Sequence, residues 1–153
     1  MTRIRPANVA DARIVHGLIN TYAERDRMLF RSLADIYENL QTFLVAEAEA
    51  EAAVVGCCAL EVVWADLAEI KSLAVDPNHR NKGIGKALVA AAIEQARCLG
   101  VPRIFALTLE AEFFVGLGFE TVDMEKLPMK VWSDCARCPK QQNCDEIAVI
   151  KSL

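Results

Sequence analysis

The sequence predicts an α/β fold of the α+β type, in which a mixed central sheet is flanked by helices on both faces. Three observations predict it: helical spacing of apolar residues near the N-terminus, consecutive apolar strands in the middle, and a strand–helix–strand unit over residues 69–108. The two strands of such a unit run parallel and are joined by a right-handed crossover. The chain of 153 residues is expected to form one domain over 1–153, since domains commonly hold about 150 residues.

The N-terminal half is predicted to contain one short strand, two helices and a hairpin. Ile4 and Pro6 predict the strand, and Asp11 then stands where an N-cap or first-turn acid favours a helix. Apolar residues of this helix follow helical spacing: Ile14, Val15, Leu18, Ile19 and Tyr22. Ser32 should cap a second helix ending at Leu40, whose buried face holds Leu33, Ile36, Tyr37 and Leu40. Two strands at 43–46 and 53–63 follow as an antiparallel pair, joined by an acidic tip of alternating Ala and Glu.

The C-terminal half is predicted to alternate strands with helices. A strand at 69–75 leads into a glycine-rich turn and then the clearest helix of the chain. The buried stripe of this helix comprises Ile84, Leu88, Ala91, Ala92, Ala96 and Leu99. Gly100 ends the helix and Pro102 prevents it from resuming. A strand at 103–108, a short helix at 112–117 closed by Gly118, and a terminal strand at 145–150 complete the order.

Charge and apolar runs exclude several classes of protein. Seventeen Lys and Arg against 21 Asp and Glu give a net charge of −4, which argues against bulk nucleic-acid binding. Residues 76–103 hold five basic and two acidic residues, so a basic island on an acidic protein favours a small anionic ligand. No apolar run approaches the ~20 residues that span a bilayer. Since no apolar segment follows the N-terminal arginines, we expect a cytoplasmic protein whose six cysteines stay reduced.

The segment Arg80-x-x-Gly83-x-Gly85 lies between a predicted buried strand and the long helix. Glycines let the backbone turn sharply, and the N–H groups and dipole at a helix start attract anions. Lys82 and Lys86 strengthen the preference, so the pattern indicates a phosphate or pyrophosphate site. The segment lacks the Gly-Lys-Ser/Thr ending of a P-loop and the third glycine of the dinucleotide fingerprint. A glycine turn that merely caps an ordinary helix is the alternative.

This segment resembles the Arg/Gln-x-x-Gly-x-Gly/Ala loop of the GNAT superfamily of acetyl-CoA-dependent N-acetyltransferases. The preceding strand, the Gly118-Phe119 ending of the short helix and the element order also match, so the resemblance covers essentially the whole chain. It implies acetyl-CoA as co-substrate. Backbone groups of the strand would hold the pantetheine arm: Leu73, Ala74 and Val75. The pyrophosphate would lie on the loop and first helical turn: Arg80, Asn81, Lys82, Gly83, Ile84, Gly85 and Lys86.

A narrower resemblance is to the acetyltransferase domain of bacterial N-acetylglutamate synthases, in their short stand-alone form. It is carried by segments at 29–33, 69–75, 118–123 and 127–139. It implies transfer of acetyl to the α-amino group of L-glutamate, the opening step of arginine synthesis. No amino-acid-kinase-like domain fits in this length, so feedback inhibition by arginine through such a domain is not expected. Another amine acceptor (an amino acid, a polyamine or a protein N-terminus) and a non-catalytic CoA-binding sensor are the alternatives.

Glu69 is the predicted general base, because a carboxylate at the start of this strand can reach the acceptor amine directly or through water. The family places its general base on the corresponding strand in many members. A backbone N–H near Leu73 or Ala74 would stabilise the oxyanion. Many members carry a Tyr as general acid where this chain has Phe114. The thiolate would therefore leave unassisted or take a proton from water, which is tolerable for a thiol with a pKa of about 8.5.

Cations should bind the carboxylates of a glutamate acceptor, preferably through a bidentate Arg. Arg31 matches the Arg-Ser of the family on the substrate side, Lys71 lies two residues from Glu69, and Lys130 could close over the substrate. Three cysteines within ten residues are open to zinc binding, a disulfide or free thiols, and we assign no metal: Cys135, Cys138 and Cys144. The expected partners are a small-molecule substrate and, as a candidate, a second copy of the chain. Nucleic acid and membrane are not expected.

Overall fold

The computed structural model describes residues 1–25, 27–127 and 146–153. Its strands are β1 (Thr2–Pro6), β2 (Phe43–Ala48), β3 (Ala53–Trp64), β4 (Leu67–Val75), β5 (Arg103–Thr108), β6 (Glu120–Val122) and β7 (Ile147–Ser152). Its α-helices are α1 (Ala12–Ala23), α2 (Leu33–Glu38), α3 (Ile84–Cys98) and α4 (Ala111–Val115). In the described part of the chain, no helix is both long enough and apolar enough to cross a bilayer.

The seven strands form one mixed sheet in the order β1-β2-β3-β4-β5-β7-β6. Neighbouring strands are antiparallel except β4 and β5, which are parallel and flank α3 in sequence. The predicted parallel unit over 69–108 is thus confirmed. The pairing of β4 with β5 covers Ala68 with Ile104 and Glu69 with Phe105. Beyond these pairs the two strands diverge toward their carboxyl ends.

Helices cover both faces of the sheet, as predicted. On one face α3 and α4 bury a large core with the inward side chains of the strands. On the other face α1 and α2 pack on the middle strands around Phe43, Val45 and Ala59. A smaller cluster of Leu67, Phe105, Leu127 and Ala148 lies beneath β5 and β7. The two covered faces account for the near-continuous apolar run of β3, since both sides of its first half are buried.

Three details of the predicted core are wrong. Helix α2 ends at Glu38 rather than Leu40, and Tyr37 is 41% exposed because so short a helix buries only its Ile36 side completely. Leu99 is 58% exposed because it lies at the C-terminal end of α3, beyond the sheet-facing stripe. That stripe instead includes Val89 and Ile93.

The start of α1 is fixed by a buried ion pair. Asn8 accepts a hydrogen bond from the N–H of Ala10, and the Asp11 carboxylate accepts one from the N–H of Asn8 at 2.8 Å. Arg5 on β1 donates to both Asp11 oxygens at 2.8 and 3.0 Å. Burial alone would raise the pKa of Asp11, but the hydrogen bonds and charge of Arg5 and the N–H of Asn8 together hold it below its ordinary value. Asp11 therefore ties the first helix to the first strand.

Candidate active site

A β-bulge in β4 shapes the cleft between β4 and β5. Cys57 on β3 pairs with Ala74, whereas Ala59 pairs with Lys71, so β4 carries one extra residue here. Ser72 in the bulge has φ +55°, a left-handed conformation that is uncommon for a residue with a side chain. Because a bulge bends and twists its strand, β4 is directed away from β5 just beyond Glu69. The two strands therefore part beyond their paired residues and leave an open cleft between them.

The thiol of Cys57 lies beneath this bulge and binds both of its ends. Its Sγ donates to the carbonyl oxygen of Ser72 at 3.5 Å and accepts a hydrogen bond from the N–H of Ala74. Burial raises the pKa of the Cys57 thiol to about 12, so it is protonated at neutral pH and available as a donor. Since the N–H of Ala74 is engaged in this way, Leu73 is the better of the two predicted backbone donors to an oxyanion.

The predicted pyrophosphate loop joins β4 to α3 at the open end of the cleft. Its basic residues and Asn81 are exposed, and Asn81 and Gly83 adopt left-handed φ values of +62° and +78°. Gly83 is the N-cap of α3, where no side chain of the described residues makes a capping hydrogen bond. The first N–H groups of α3 therefore point out of the protein at a glycine turn, in the arrangement that binds phosphate groups.

Two glycines let neighbouring elements approach closely around this loop. A β-carbon on Gly56 of β3 would lie 3.1 Å from Ile84 and from Leu88, so the first turn of α3 rests directly on the sheet. A β-carbon on Gly85 would lie 3.5 Å from the ring of Phe113 on α4. Helix α4 thus forms the wall opposite the loop. On the other side of the cleft, the Tyr22 hydroxyl of α1 donates to the carbonyl oxygen of Val75 at 2.5 Å.

Glu69 lies at the point where β4 and β5 part, and its side chain is 8% exposed. Glu61 stands directly opposite it on β3. The Nζ of Lys71 lies 3.9 Å from Oε1 of Glu69 and 2.6 Å from Oε2 of Glu61. Glu69 and Lys71 therefore share one face of the strand, as their two-residue spacing predicts, and the bulge begins only after them. A nearly buried carboxylate beside a cation can accept a proton from an amine.

Arg31 reaches the same place from the loop between α1 and α2, and its side chain is 9% exposed. Its Nε donates to Oδ2 of Asp35 at 2.7 Å and its Nη1 to the hydroxyl of Ser72 at 3.3 Å. The guanidinium lies 5.0 Å from the ring centroid of Phe43, on which it rests. Burial would raise the pKa of Asp35, but the hydrogen bond and charge of Arg31 lower it below its ordinary value. The Arg31–Asp35 pair is therefore charged at neutral pH.

The sequence reasoning missed one residue of the site, and several predicted site residues lie outside the described part of the chain. Sequence reasoning missed Glu61, because its place opposite Glu69 depends on a strand register that the sequence does not state. Phe114 is 3% exposed and packs edge-on against Phe113 and Phe119, so this side chain is part of the core and offers no hydroxyl. The residues Lys130, Cys135, Cys138 and Cys144 lie outside the described residues, and their roles stay predictions. Among the described residues no group of His, Cys, Asp and Glu could hold a metal ion.

The cleft, the bulge and the uncapped start of α3 together fit a long ligand with a diphosphate at one end and a reactive group at the other. The sequence profile of the Acetyltransferase (GNAT) family matches residues 13–119, which include all of these features. The chain belongs to the GNAT family of acetyltransferases. It is an acetyl-CoA-dependent N-acetyltransferase, and the resemblance seen in the sequence is confirmed.

Two relatives are similar over most of their length. An uncharacterized N-acetyltransferase of Chlorobaculum tepidum is 42% identical over 152 residues, which are 99% of this chain and 97% of that protein. The amino-acid acetyltransferase of Mycobacterium tuberculosis is 38% identical over 135 residues, 88% of this chain and 77% of that protein. The chain therefore matches both proteins over more than three quarters of their length.

Two solved structures share the fold closely. A Mycobacterium tuberculosis protein crystallised with CoA superposes with a TM-score of 0.87 at 33% identity, covering 99% of both chains. The N-acetylglutamate synthase of Neisseria gonorrhoeae, complexed with coenzyme A and N-acetyl-glutamate, gives a TM-score of 0.89 at 29% identity. That match covers all of this chain but 35% of the gonococcal one, so the chain spans about a third of that enzyme.

Proposed function

We propose that this acetyltransferase moves the acetyl group of acetyl-CoA to the α-amino group of L-glutamate. The observation that carries the proposal is the convergence of Arg31 and Lys71 on the face of the sheet where Glu69 lies, at the mouth of the cleft. Arg31 and Lys71 are the cations that could bind the carboxylates of an acceptor, and each of them also contacts carboxylates of the protein itself. The amino-acid acetyltransferase and N-acetylglutamate synthase relatives support the same acceptor class.

In the proposed reaction Arg31 and Lys71 hold the acceptor carboxylates and so bring its amine toward Glu69. Acetyl-CoA supplies the activated acetyl group. Glu69 takes one proton from the ammonium, which frees the nitrogen lone pair for attack on the acetyl carbonyl. The N–H of Leu73 donates to the carbonyl oxygen as negative charge develops on it. When the tetrahedral intermediate collapses, the carbon–sulfur bond breaks and the thiolate leaves. Since Phe114 offers no hydroxyl, the second proton lost by the attacking nitrogen reaches the thiolate through water.

The loop and the start of α3 hold the other end of the co-substrate. The N–H groups after Gly83 and the side chains of Arg80, Lys82 and Lys86 would bind its diphosphate. Backbone groups of Leu73, Ala74 and Val75 at the end of β4 would pair with the pantetheine amides. This places the reactive end of the ligand near Glu69, because the cleft runs from the loop back to the point where β4 and β5 part.

Thiol release from acetyl-CoA, measured with a panel of amines, tests the proposal. The panel contains L-glutamate, L-glutamine, L-aspartate and a polyamine, and a reaction without acceptor corrects for the exposed thiol of Cys98. We expect turnover with L-glutamate and little with the polyamine. Binding of acetyl-CoA without turnover of any amine would instead favour a CoA-binding sensor.

Glu69→Gln tests the assignment of the base. We expect kcat to fall by about 10²–10⁴-fold, the usual contribution of a general base, while the KM for acetyl-CoA changes little. Glu49→Gln, at the exposed tip between β2 and β3, is the matched control. An unchanged rate across pH in Glu69→Gln would remove Glu69 from the mechanism.

A further inference from the structure

Glu61 lies within ion-pair distance of both predicted acceptor-binding cations. Its Oε2 lies 2.6 Å from Nζ of Lys71, and its Oε1 lies 3.8 Å from Nη2 of Arg31. Its side chain is 21% exposed, so these contacts are shielded from bulk water on most sides. Glu61 stands on β3 directly opposite Glu69, and the register of the two strands fixes this position.

Among the described residues, Asp35, Glu61 and Glu69 lie near the two cations, and they make different contacts with them. Asp35 binds Arg31 at 2.7 Å, closer than Glu61 does, so Arg31 keeps a strong partner without Glu61. Lys71 instead lies between two carboxylates and is held at 2.6 Å by Glu61 and at 3.9 Å from Glu69. Loss of the Glu61 charge would therefore remove the 2.6 Å ion pair of Lys71 and leave the 2.7 Å ion pair of Arg31 with Asp35 in place.

We propose that Glu61 is a positioning residue for the transfer reaction. It holds Lys71 beside Arg31, where both can bind one acceptor, and keeps the ammonium of Lys71 from closing on Glu69. The inference depends on the proposed function, because it takes Arg31 and Lys71 as the acceptor-binding groups.

Two physical effects give Glu61 this role. A lysine side chain has about 2 kcal/mol of rotamer entropy, and a charged hydrogen bond that orders it before binding lowers the cost of ordering it in the complex. Arg31 and Lys71 also repel each other, and the carboxylate between them offsets this repulsion. Without it, Lys71 would move toward Glu69, whose proton-accepting carboxylate would then be tied up in an ion pair.

Steady-state kinetics of Glu61→Gln, Lys71→Met and the double variant test the proposal. In Glu61→Gln we expect the acceptor KM to rise by about 10- to 100-fold, the range for loss of a charged hydrogen bond, and kcat to fall. The KM for acetyl-CoA should stay within about twofold of wild type. Glu61→Asp should restore part of the acceptor KM, and Glu61→Gln should add little in the Lys71→Met background, since it acts through Lys71.

Three results would overturn the inference. One is an unchanged or lower acceptor KM in Glu61→Gln, and another is an equal effect of this change with and without Lys71. A parallel rise in both KM values would show general structural damage rather than positioning. Glu49→Gln controls for loss of one negative charge from the protein.

Failure of the proposed function has a different signature. It appears in the wild-type enzyme, as absence of turnover with L-glutamate, and the same variants are then compared with the acceptor that the panel identifies. A crystal structure of Glu61→Gln tests the inference independently of any catalytic turnover. Movement of Lys71 Nζ to within ion-pair distance of Glu69 supports the inference, and an unmoved Lys71 contradicts it.

Discussion

The substitution Gly83→Ala tests the backbone conformation of the predicted diphosphate loop without changing how the loop packs. Gly83 has φ +78° and ψ 11°, and a β-carbon placed on it would meet no atom within 4 Å. The substitution therefore creates no clash. Its whole cost is the left-handed conformation, which costs an alanine about 1–2 kcal/mol relative to its preferred conformations.

This cost can appear in either of two measurements. If the loop keeps its shape, the free energy of unfolding falls by about 1–2 kcal/mol. If the loop relaxes instead, the start of α3 is displaced and the same energy is lost from CoA affinity, as a rise in Kd of about 5- to 30-fold. Denaturant unfolding and calorimetric titration with CoA, on the same preparation, measure both terms.

Gly85→Ala, two residues further along, is the control for stability alone, because Gly85 also belongs to the predicted diphosphate site. Gly85 lies inside α3 without a positive φ, and its β-carbon would make an ordinary contact with Phe113 at 3.5 Å. We expect nearly unchanged stability, since alanine favours the helix over glycine. If Gly83→Ala kept both wild-type stability and wild-type CoA affinity, the reasoning from the left-handed turn would be refuted.

Two further predictions follow from shifted pKa values. The pKa of Asp11 is lowered in the folded protein, so Asp11 stabilises the fold above its ordinary pKa of 3.8 and loses this contribution as pH falls through the folded pKa. Asp11→Asn should then cost about 1–3 kcal/mol of unfolding free energy at pH 7, with a gap to wild type that narrows in acid; a gap independent of pH would contradict this. Burial raises the pKa of both Cys57 and Cys58, so neither thiol should be alkylated at pH 8 before unfolding, whereas exposed Cys98 should react at once. Peptide mapping of the alkylated protein distinguishes the three thiols, and early labelling of Cys57 would show that the bulge is open.

The elements that the sequence predicted are those in which periodicity follows from burial. Helix α3 and the strands on each side of it were predicted because one face, or both, is covered by apolar partners. The short helix α2 was predicted too long, because one turn and a half leaves most of its side chains outside the core. The bulge at Ser72 could not be predicted, because it depends on how β3 and β4 pair and no local signal marks a serine for a positive φ.

In the candidate site, too, local geometry could be predicted from the sequence and long-range contacts could not. Glu69 and Lys71 are two residues apart on one strand, so their proximity follows from strand geometry alone. Glu61 is 8 or more residues away from them in sequence, and Arg31 is 38 or more residues away. Their contacts with these two residues therefore depend on the strand register and on the path of the loop that carries Arg31. Charged residues scattered in the sequence thus become one cluster only through the pairing of β3 with β4.

The bulge connects the acceptor side of the site with the co-substrate side. Ser72 presents its carbonyl oxygen to the thiol of Cys57 and its hydroxyl to the guanidinium of Arg31. The same residue directs β4 away from β5 and so opens the cleft. A change that flattened the bulge would therefore close the cleft and remove a partner of Arg31 in one step. In the proposed reaction one backbone irregularity sets both geometries, so the acceptor and the acetyl group would meet at Glu69 without a separate element to align them.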